Sequence, residues 1–374
     1  MSKENIVDLL RHLVAIPSVN PGFTDAPAEY TGEKRLALYL MQWAKERNIH
    51  AEYFEAAPDR PCVLLESTAE NIPAILLSAH MDTVWSADME SPFALKEKDG
   101  LLFGLGAADD KGPLAAALHA LEKVNGKDLK FKFQVLASCD EEYGLCGIKK
   151  MIPEELSPAL HIVAEPTSLQ VVTAEKGSAR FTVKVNGRKA HSSVPHLGEN
   201  AIIKAVKLIN ALEEYSSQLQ KRTPHPLLGN ATLCIGTIRG GNQPSNVPDE
   251  CVFSFNYRIL PGTTPENLRS ELENVLQNTG IDFELSAIFD APPVETDGDN
   301  CFVQKMCRIL QKNSLDPQIY GVPYASEAFQ SAKYGIPVFI FGAGNIDCAH
   351  SDHEYISTGE LLQMSECLEA LLCE

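Results

Sequence analysis

Positive charge is scarce in this chain: 32 Lys and Arg stand against 50 Asp and Glu, a formal net charge of −18. Such a surface has little with which to neutralise phosphates, which argues against a nucleic-acid partner. It does not point to acidic substrates and mainly keeps the protein dissolved. No apolar run approaches the length of a membrane span, so no membrane partner is expected. The start, Met1-Ser-Lys-Glu-Asn-Ile-Val-Asp-Leu-Leu10, reads as an amphipathic helix rather than a signal peptide. The ten cysteines include no Cys-x-x-Cys pair. That spacing gives no disulfide framework and no zinc finger, and reduced thiols in a cytoplasmic protein are expected. Phosphate-loop motifs are missing as well. Gly104-Leu-Gly-Ala-Ala-Asp109 has neither the dinucleotide nor the Walker spacing. No internal repeat and no low-complexity segment interrupts the chain.

What is present is ordinary globular material. Hydrophobic residues make up 44% of 374 positions, enough for a large core and for two or three domains. Helical spacing covers 4–14, 33–47 and 114–124, with Pro113 just inside the last start. Near-continuous apolar strands are predicted at 63–66, 74–79, 131–137 and 161–164. Strands of that kind, separated by helices, indicate a mainly parallel sheet buried on both faces. Near Gly177 the period changes to two: Arg180-Phe-Thr-Val-Lys-Val-Asn186 alternates like a half-exposed strand. The order that follows is helix 201–219, strands 231–238 and 251–259, helix 265–276 and strand 282–289. This is the β-α-β-β-α-β arrangement of a ferredoxin-like unit. After Ala291-Pro-Pro293 the first pattern resumes, with helix 301–310, strand 337–342 and helix 360–372. The predicted fold is α/β, with one domain over 1–177 and 291–374 and a second, over 178–290, inserted into it.

Metal-ligating side chains cluster at the ends of the apolar runs. One run ends in His80-Met-Asp82, another in Asp140-Glu141-Glu142, and a third in Glu165-Pro166. Between the first two lies Asp109-Asp110-Lys111-Gly112, and late in the chain comes His350-Ser-Asp-His353-Glu354. Open α/β sheets bind ligands at the carboxyl ends of their strands, so these residues converge on one crevice although far apart in sequence. Two His and several carboxylates suit a hydrolytic two-zinc centre.

The stretches Ser78-Ala-His-Met-Asp-Thr-Val84, Gly106-Ala-Ala-Asp-Asp-Lys-Gly112, Asp140-Glu-Glu142 and Glu165-Pro-Thr-Ser168 resemble the metallopeptidase and deacylase family of acetylornithine deacetylase, succinyl-diaminopimelate desuccinylase, aminoacylase and the glutamate carboxypeptidases. The resemblance covers essentially the whole chain, insertion included. It implies a two-zinc catalytic domain with an inserted lid and dimerisation domain. It further implies that His80, Asp109 and Glu165 bind one Zn²⁺ and that Glu142, Asp109 and His350 bind the other, with Asp109 bridging. Two dications, three carboxylates and a bridging hydroxide sum to zero charge. Co²⁺ or Mn²⁺ would tolerate the same ligands. Glu141 would act as general base toward the metal-bridging water. Asp82 would accept the second imidazole N–H of His80. A cis peptide is implied between Asp109 and Asp110.

In the insertion, His191 matches a lid histidine that reaches across a homodimer to the developing oxyanion. Asn246 and Arg258 match positions that hold a substrate carboxylate, with backbone N–H groups around Gly342 to Gly344 assisting. Glu165-Pro-Thr-Ser-Leu-Gln170 and Ser326-Glu-Ala328 look closest to the acetylornithine deacetylases. Glu327 would then face a cationic substrate side chain. The expected activity is hydrolysis of an amide on an N-acyl amino acid. Dipeptidase, carboxypeptidase or succinyl-diaminopimelate desuccinylase activity is the alternative, and a non-catalytic binding protein on the same scaffold the remote one. His196 and His225 read as surface or packing residues, Asp140 as a turn or cap, Asp110 as structural, Lys111 as a local ion-pair partner and Cys348 as a buried thiol. Two positions depart from the family pattern: Leu105 where many members have Arg, and His353 where Asn or Asp is common.

Overall fold

The structure, a computed structural model, describes residues 3–68 and 72–373, with side chains described from Ile6 onward. Met1 and Ser2, at the start of the expected first helix, lie outside the described residues. The chain divides into two compact units. The larger holds the residues up to Thr173, then Thr296–Tyr320 and Ser326 onward; the smaller holds Ala174–Glu295 and Gly321–Ala325.

The larger unit is built on a mixed sheet. Its four central strands, Lys132–Ser138, Ala74–His80, Leu160–Val163 and Val338–Ile340, are parallel neighbours in that order. Arg60–Glu66 and His50–Ala57 extend one side antiparallel. Alternate residues explain why these strands read as continuous apolar runs. Val63, Leu65, Ile75, Leu77, Phe133 and Val135 join a core under the helices Lys3–Ala15, Lys111–Val124 and Thr358–Cys373. Leu64, Leu76 and Leu136 join a separate cluster with Ile148 and Met151. Both faces are therefore covered, and no polar face is left to mark the period. Several strands escaped the sequence reading, of which two are the longest. His50–Ala57 is an edge strand whose Glu52 and Glu55 mask it, and Val171–Glu175 is five buried residues without turn signals.

The smaller unit has four antiparallel strands in the spatial order Thr232–Gly240, Glu250–Ile259, Gly177–Asn186, Glu284–Ala291. In chain order that is 2-3-1-4, the ferredoxin-like arrangement. One face is buried: Phe181, Val183, Phe253, Phe255 and Tyr257 pack with Leu208 and Leu212 of helix Ala201–Leu219 and with Leu268 and Leu272 of helix Pro265–Gln277. Each helix start is capped. The Asn200 side chain accepts from Ile203 N, and Thr264 accepts from Asn267 N with Pro265 at the first helical position. Phe181 stacks on Phe255 at 5.0 Å and meets Phe289 edge-on at 5.8 Å between ring centres. Phe181→Ala removes both contacts from a fully buried position, and an expected loss of about 3–5 kcal/mol would appear as a lower urea midpoint for this unit. An unchanged midpoint would show that the aromatic stack does not hold this sheet to its helices.

Candidate metal centre

Parallel pairing sets the site. His80 is the last residue of its strand and pairs in register with Ser138, the last residue of the next. Asp140, Glu141 and Glu142 follow two residues on. On the other side, Ser78 is level with Val163, and Val163 with Ile340, so Glu165 and Gly342 leave the same edge. Gly342 runs so close that a Cβ there would lie 2.3 Å from the Glu165 carbonyl oxygen.

Asp109 occupies the centre. Its Oδ1 is 2.8 Å from His80 Nε2, and its Oδ2 is 3.1 Å from His350 Nε2. His350 Nε2 is also 3.1 Å from Glu142 Oε1. Ligand atoms of His80, Asp109 and Glu142 all lie within 4.8 Å of one another. The peptide between Asp109 and Asp110 is cis. The turn that carries Asp109 is held from behind by Glu354, whose buried carboxylate accepts from Gly106 N, Ala108 N and Asp109 N at 2.8, 2.8 and 2.9 Å. Burial and the Asp109 charge push the Glu354 carboxyl up to about 7 against those three bonds.

The donor set fits a divalent cation. His80 Nδ1 lies 2.8 Å from the Asp82 carbonyl oxygen, which only accepts, so Nδ1 carries a proton. Nε2 then faces a carboxylate, which also only accepts, and a cation must stand between them: a second proton or a metal ion. Burial alone would depress the His80 imidazole, but the Asp109 hydrogen bond and charge, with Asp110 and Asp82 behind it, hold it well above its ordinary value. His350 is pushed up to about 10 by its bonds to Asp109 and then Glu142. Burial raises Asp109, yet His350 and His80 together hold it below the ordinary carboxylate range. Glu141, Glu142 and Glu165 are all raised, first by burial and then by each other's neighbourhood of negative charge. So much uncompensated charge in one buried place is the electrostatic signature of a cation site.

Several expected roles are corrected. The Asp82 carboxylate does not take the His80 imidazole; Oδ1 is 3.9 Å from Nδ1, and the Asp82 carbonyl takes that place. The carboxylate turns instead to the acidic loop, accepting from Glu141 N and Glu142 N at 3.1 Å each and from Asn20 Nδ2 at 2.7 Å. Amides at Gly342 to Gly344 are already engaged. Gly342 N–H donates to Thr167 Oγ1, Ala343 N–H to Met364 Sδ, and Gly344 N–H to Glu360 Oε2 at 2.8 Å. Glu327 is 1% exposed, beside Ser138 and Ser78, and burial raises its carboxyl to about 6. A substrate side chain from solvent does not meet it there. Lys111 is fully buried and donates to the Ile16 carbonyl oxygen at 2.8 Å rather than pairing with an acid. Cys348 is only partly buried, its thiol directed at Asn345 O and Tyr355 O.

Other expectations meet their places. Asp110 Oδ2 accepts from His80 N, and Asp140 accepts from Cys146 N at the start of helix Cys146–Met151. His353 has a side chain 87% exposed and pairs with Asp352, so His350 is the histidine of that segment at the centre. Asn20, Glu33 and Arg60 belong to the site's support and were not singled out in the sequence. The three-residue spacing of Asn20 after Pro17 gives no such signal, and only folding brings these residues under Asp82 and Asp140. In the smaller unit, His191 is exposed and pairs in register with Asn246, and Arg258 is half-buried on the strand face away from the helices. His225 is a turn clasp, its Nδ1 accepting from Leu227 N and Leu228 N.

The sequence pattern of Peptidase family M20/M25/M40 matches residues 76–374. The chain belongs to this family. Among curated M20 relatives, an acetylornithine deacetylase of Klebsiella pneumoniae (strain 342) is 31% identical over 371 residues, 94% of this chain and 93% of the relative. An acetylornithine deacetylase of Myxococcus xanthus is 32% identical over 308 residues, 79% of this chain and 78% of the relative. Among solved structures, a tripeptidase from Staphylococcus aureus superposes with a TM-score of 0.80 at 22% identity, covering 99% of this chain and 98% of that one. A dinuclear metal-binding M20 peptidase of Bacillus subtilis gives 0.72 at 15% identity, covering 99% and 97%. The protein is thus an enzyme of the M20 metallopeptidase and deacetylase group, and its α/β fold is the M20 fold. Among the described residues no helix is long and apolar enough to cross a membrane. Removing the support of the Asp109 turn tests the centre: Glu354→Ala is expected to weaken metal binding about 10–100-fold in a chelator-competition titration. Unchanged affinity would mean that Glu354 does not set the position of Asp109.

Proposed function

We propose that the protein is a dinuclear metal hydrolase that cleaves the amide of an N-acyl amino acid, with an acetylornithine-type substrate favoured. The observation that carries the reading is Asp109, one carboxylate whose two oxygens face two different imidazoles, His80 and His350. A carboxylate so placed can serve two cations at once. His80, Asp109 and Glu165 would hold one and Glu142, Asp109 and His350 the other. When bound, such a pair lowers the pKa of a water and polarises the scissile carbonyl. Zinc is the favoured metal, with cobalt or manganese compatible.

Glu141 is the general base in this reading. It follows Asp140 on a loop whose amides are fixed by Asp82, which aims its carboxylate into the same charged neighbourhood as Glu142 and Glu165. It takes a proton from the attacking water and returns it to the leaving amine. His191 donates to the oxyanion and Arg258 and Asn246 hold the substrate carboxylate, the smaller unit acting as lid and as the contact of a homodimer. The acyl preference rests on relatives named acetylornithine deacetylase at about 30% identity over nearly the whole chain.

The test is a hydrolysis panel of N-acetylornithine, other N-acetyl amino acids, succinyl-diaminopimelate and dipeptides, each with a chelator control. Chelator-sensitive preference for N-acetylornithine is expected. Preference for a dipeptide would keep the metal chemistry and replace the substrate. Glu141→Ala is expected to retain its metal content while turnover falls by about 10²–10⁴-fold. Metal loss in that variant would make Glu141 a ligand instead.

A further inference from the structure

His191 stands in a loop that the smaller unit fastens at every side. Arg188 and Glu199 exchange backbone hydrogen bonds of 2.8 Å across its neck, and Arg188 Nε donates to Leu197 O at 3.0 Å. Gly198 fits only because it has no side chain; a Cβ would lie 2.8 Å from Arg188 O and 2.9 Å from Val247 Cγ1. His191 pairs with Asn246 across a short ladder, Ser192 N donates to Ser245 O, and Val194 N closes a tight turn onto His191 O at 3.0 Å. That turn brings Ser193 back over the imidazole. Its hydroxyl is 2.7 Å from His191 Nδ1, and its backbone N–H donates to the same Nδ1 at 3.2 Å.

A hydroxyl can donate or accept and so does not choose a tautomer by itself. A backbone N–H only donates. With that donor directed at Nδ1, Nδ1 must carry the lone pair, and the ring proton belongs on Nε2. We infer that Ser193 locks His191 as the neutral Nε2–H tautomer, so that the histidine meets substrate as an oriented hydrogen-bond donor. Ser193 is a positioning residue: it touches no reactant and acts through the ring. The inference rests on the reading of His191 as oxyanion donor, because only then does the identity of the protonated nitrogen matter for rate. An oxyanion needs a donor in place before charge develops, and a ring free to turn over would present either nitrogen or a carbon.

The direct test is nitrogen NMR of the full-length, histidine-labelled protein, assigned by comparison with His191→Ala. The expected spectrum shows His191 Nδ1 unprotonated and Nε2 protonated; the reverse assignment overturns the proposal. In turnover assays Ser193→Ala, which keeps the backbone N–H, is expected to lower kcat by about two- to tenfold, the range one hydrogen bond supports, with KM and metal content unchanged. Ser193→Thr restores the hydroxyl and the rate. In the His191→Ala background, Ser193→Ala should cost nothing further; an equal loss there would make Ser193 merely structural and reject the positioning role. If His191→Ala keeps full kcat while the spectrum shows the Nε2–H form, the oxyanion reading fails and the tautomer lock stands.

Discussion

The centre depends on a single carboxylate held between two imidazoles. Asp109 has a hydrogen-bond distance to His80 on one oxygen and to His350 on the other, and these histidines come from opposite ends of the chain. Neither contact survives unless the turn 106–110 is fixed, and that turn has no regular structure to fix it. Glu354 supplies the constraint with three charge-assisted bonds, to the amides of Gly106, Ala108 and Asp109. The same buried Glu raises the electrostatic stress of a region already rich in carboxylates. A stable folded state there calls for cations, and both histidines direct Nε2 at carboxylate oxygens.

A second layer holds the acidic loop. Asp82 grips the amides of Glu141 and Glu142, and the Asn20 side-chain amide bridges Asp82 to Asp140. Asp140 in turn meets Arg60 at 3.0 Å, and Arg60 pairs with the buried Glu33. Each charge in this chain of contacts has a partner, which is the condition for keeping ionised groups out of water. The candidate base and one metal-ligand candidate are thereby tied to the end of the His80 strand rather than left on a free loop. Precision of this kind is what a hydrolytic site requires of its supports.

Much of this was legible in the residues. Apolar runs ending in His or acid showed where strands end and candidate ligands gather, and the switch to period two near Gly177 marked the ferredoxin-like unit. The roles that were misplaced share a physical cause. Asp82, Gly344 and Glu327 were assigned from the family resemblance and Lys111 as a local ion-pair partner, but burial and the directions of backbone amides and carbonyls after folding decide their surroundings. Asp82 offers His80 its carbonyl, and Gly344 gives its amide to Glu360. Asn20, Glu33 and Arg60 carry no motif at all. Their function is bonding to residues distant in sequence, as Asn20 does with Asp140, and spacing along the chain holds no trace of it.

Metal stoichiometry tests the shared carboxylate most directly. Purified wild-type protein and Asp109→Asn would be loaded with zinc, dialysed, and assayed for metal by mass spectrometry alongside His350→Ala. Two ions per chain in the wild type, one in His350→Ala and weakened retention of both in Asp109→Asn would support a bridged pair. One ion in the wild type, or two retained undiminished without the Asp109 carboxylate, would contradict it.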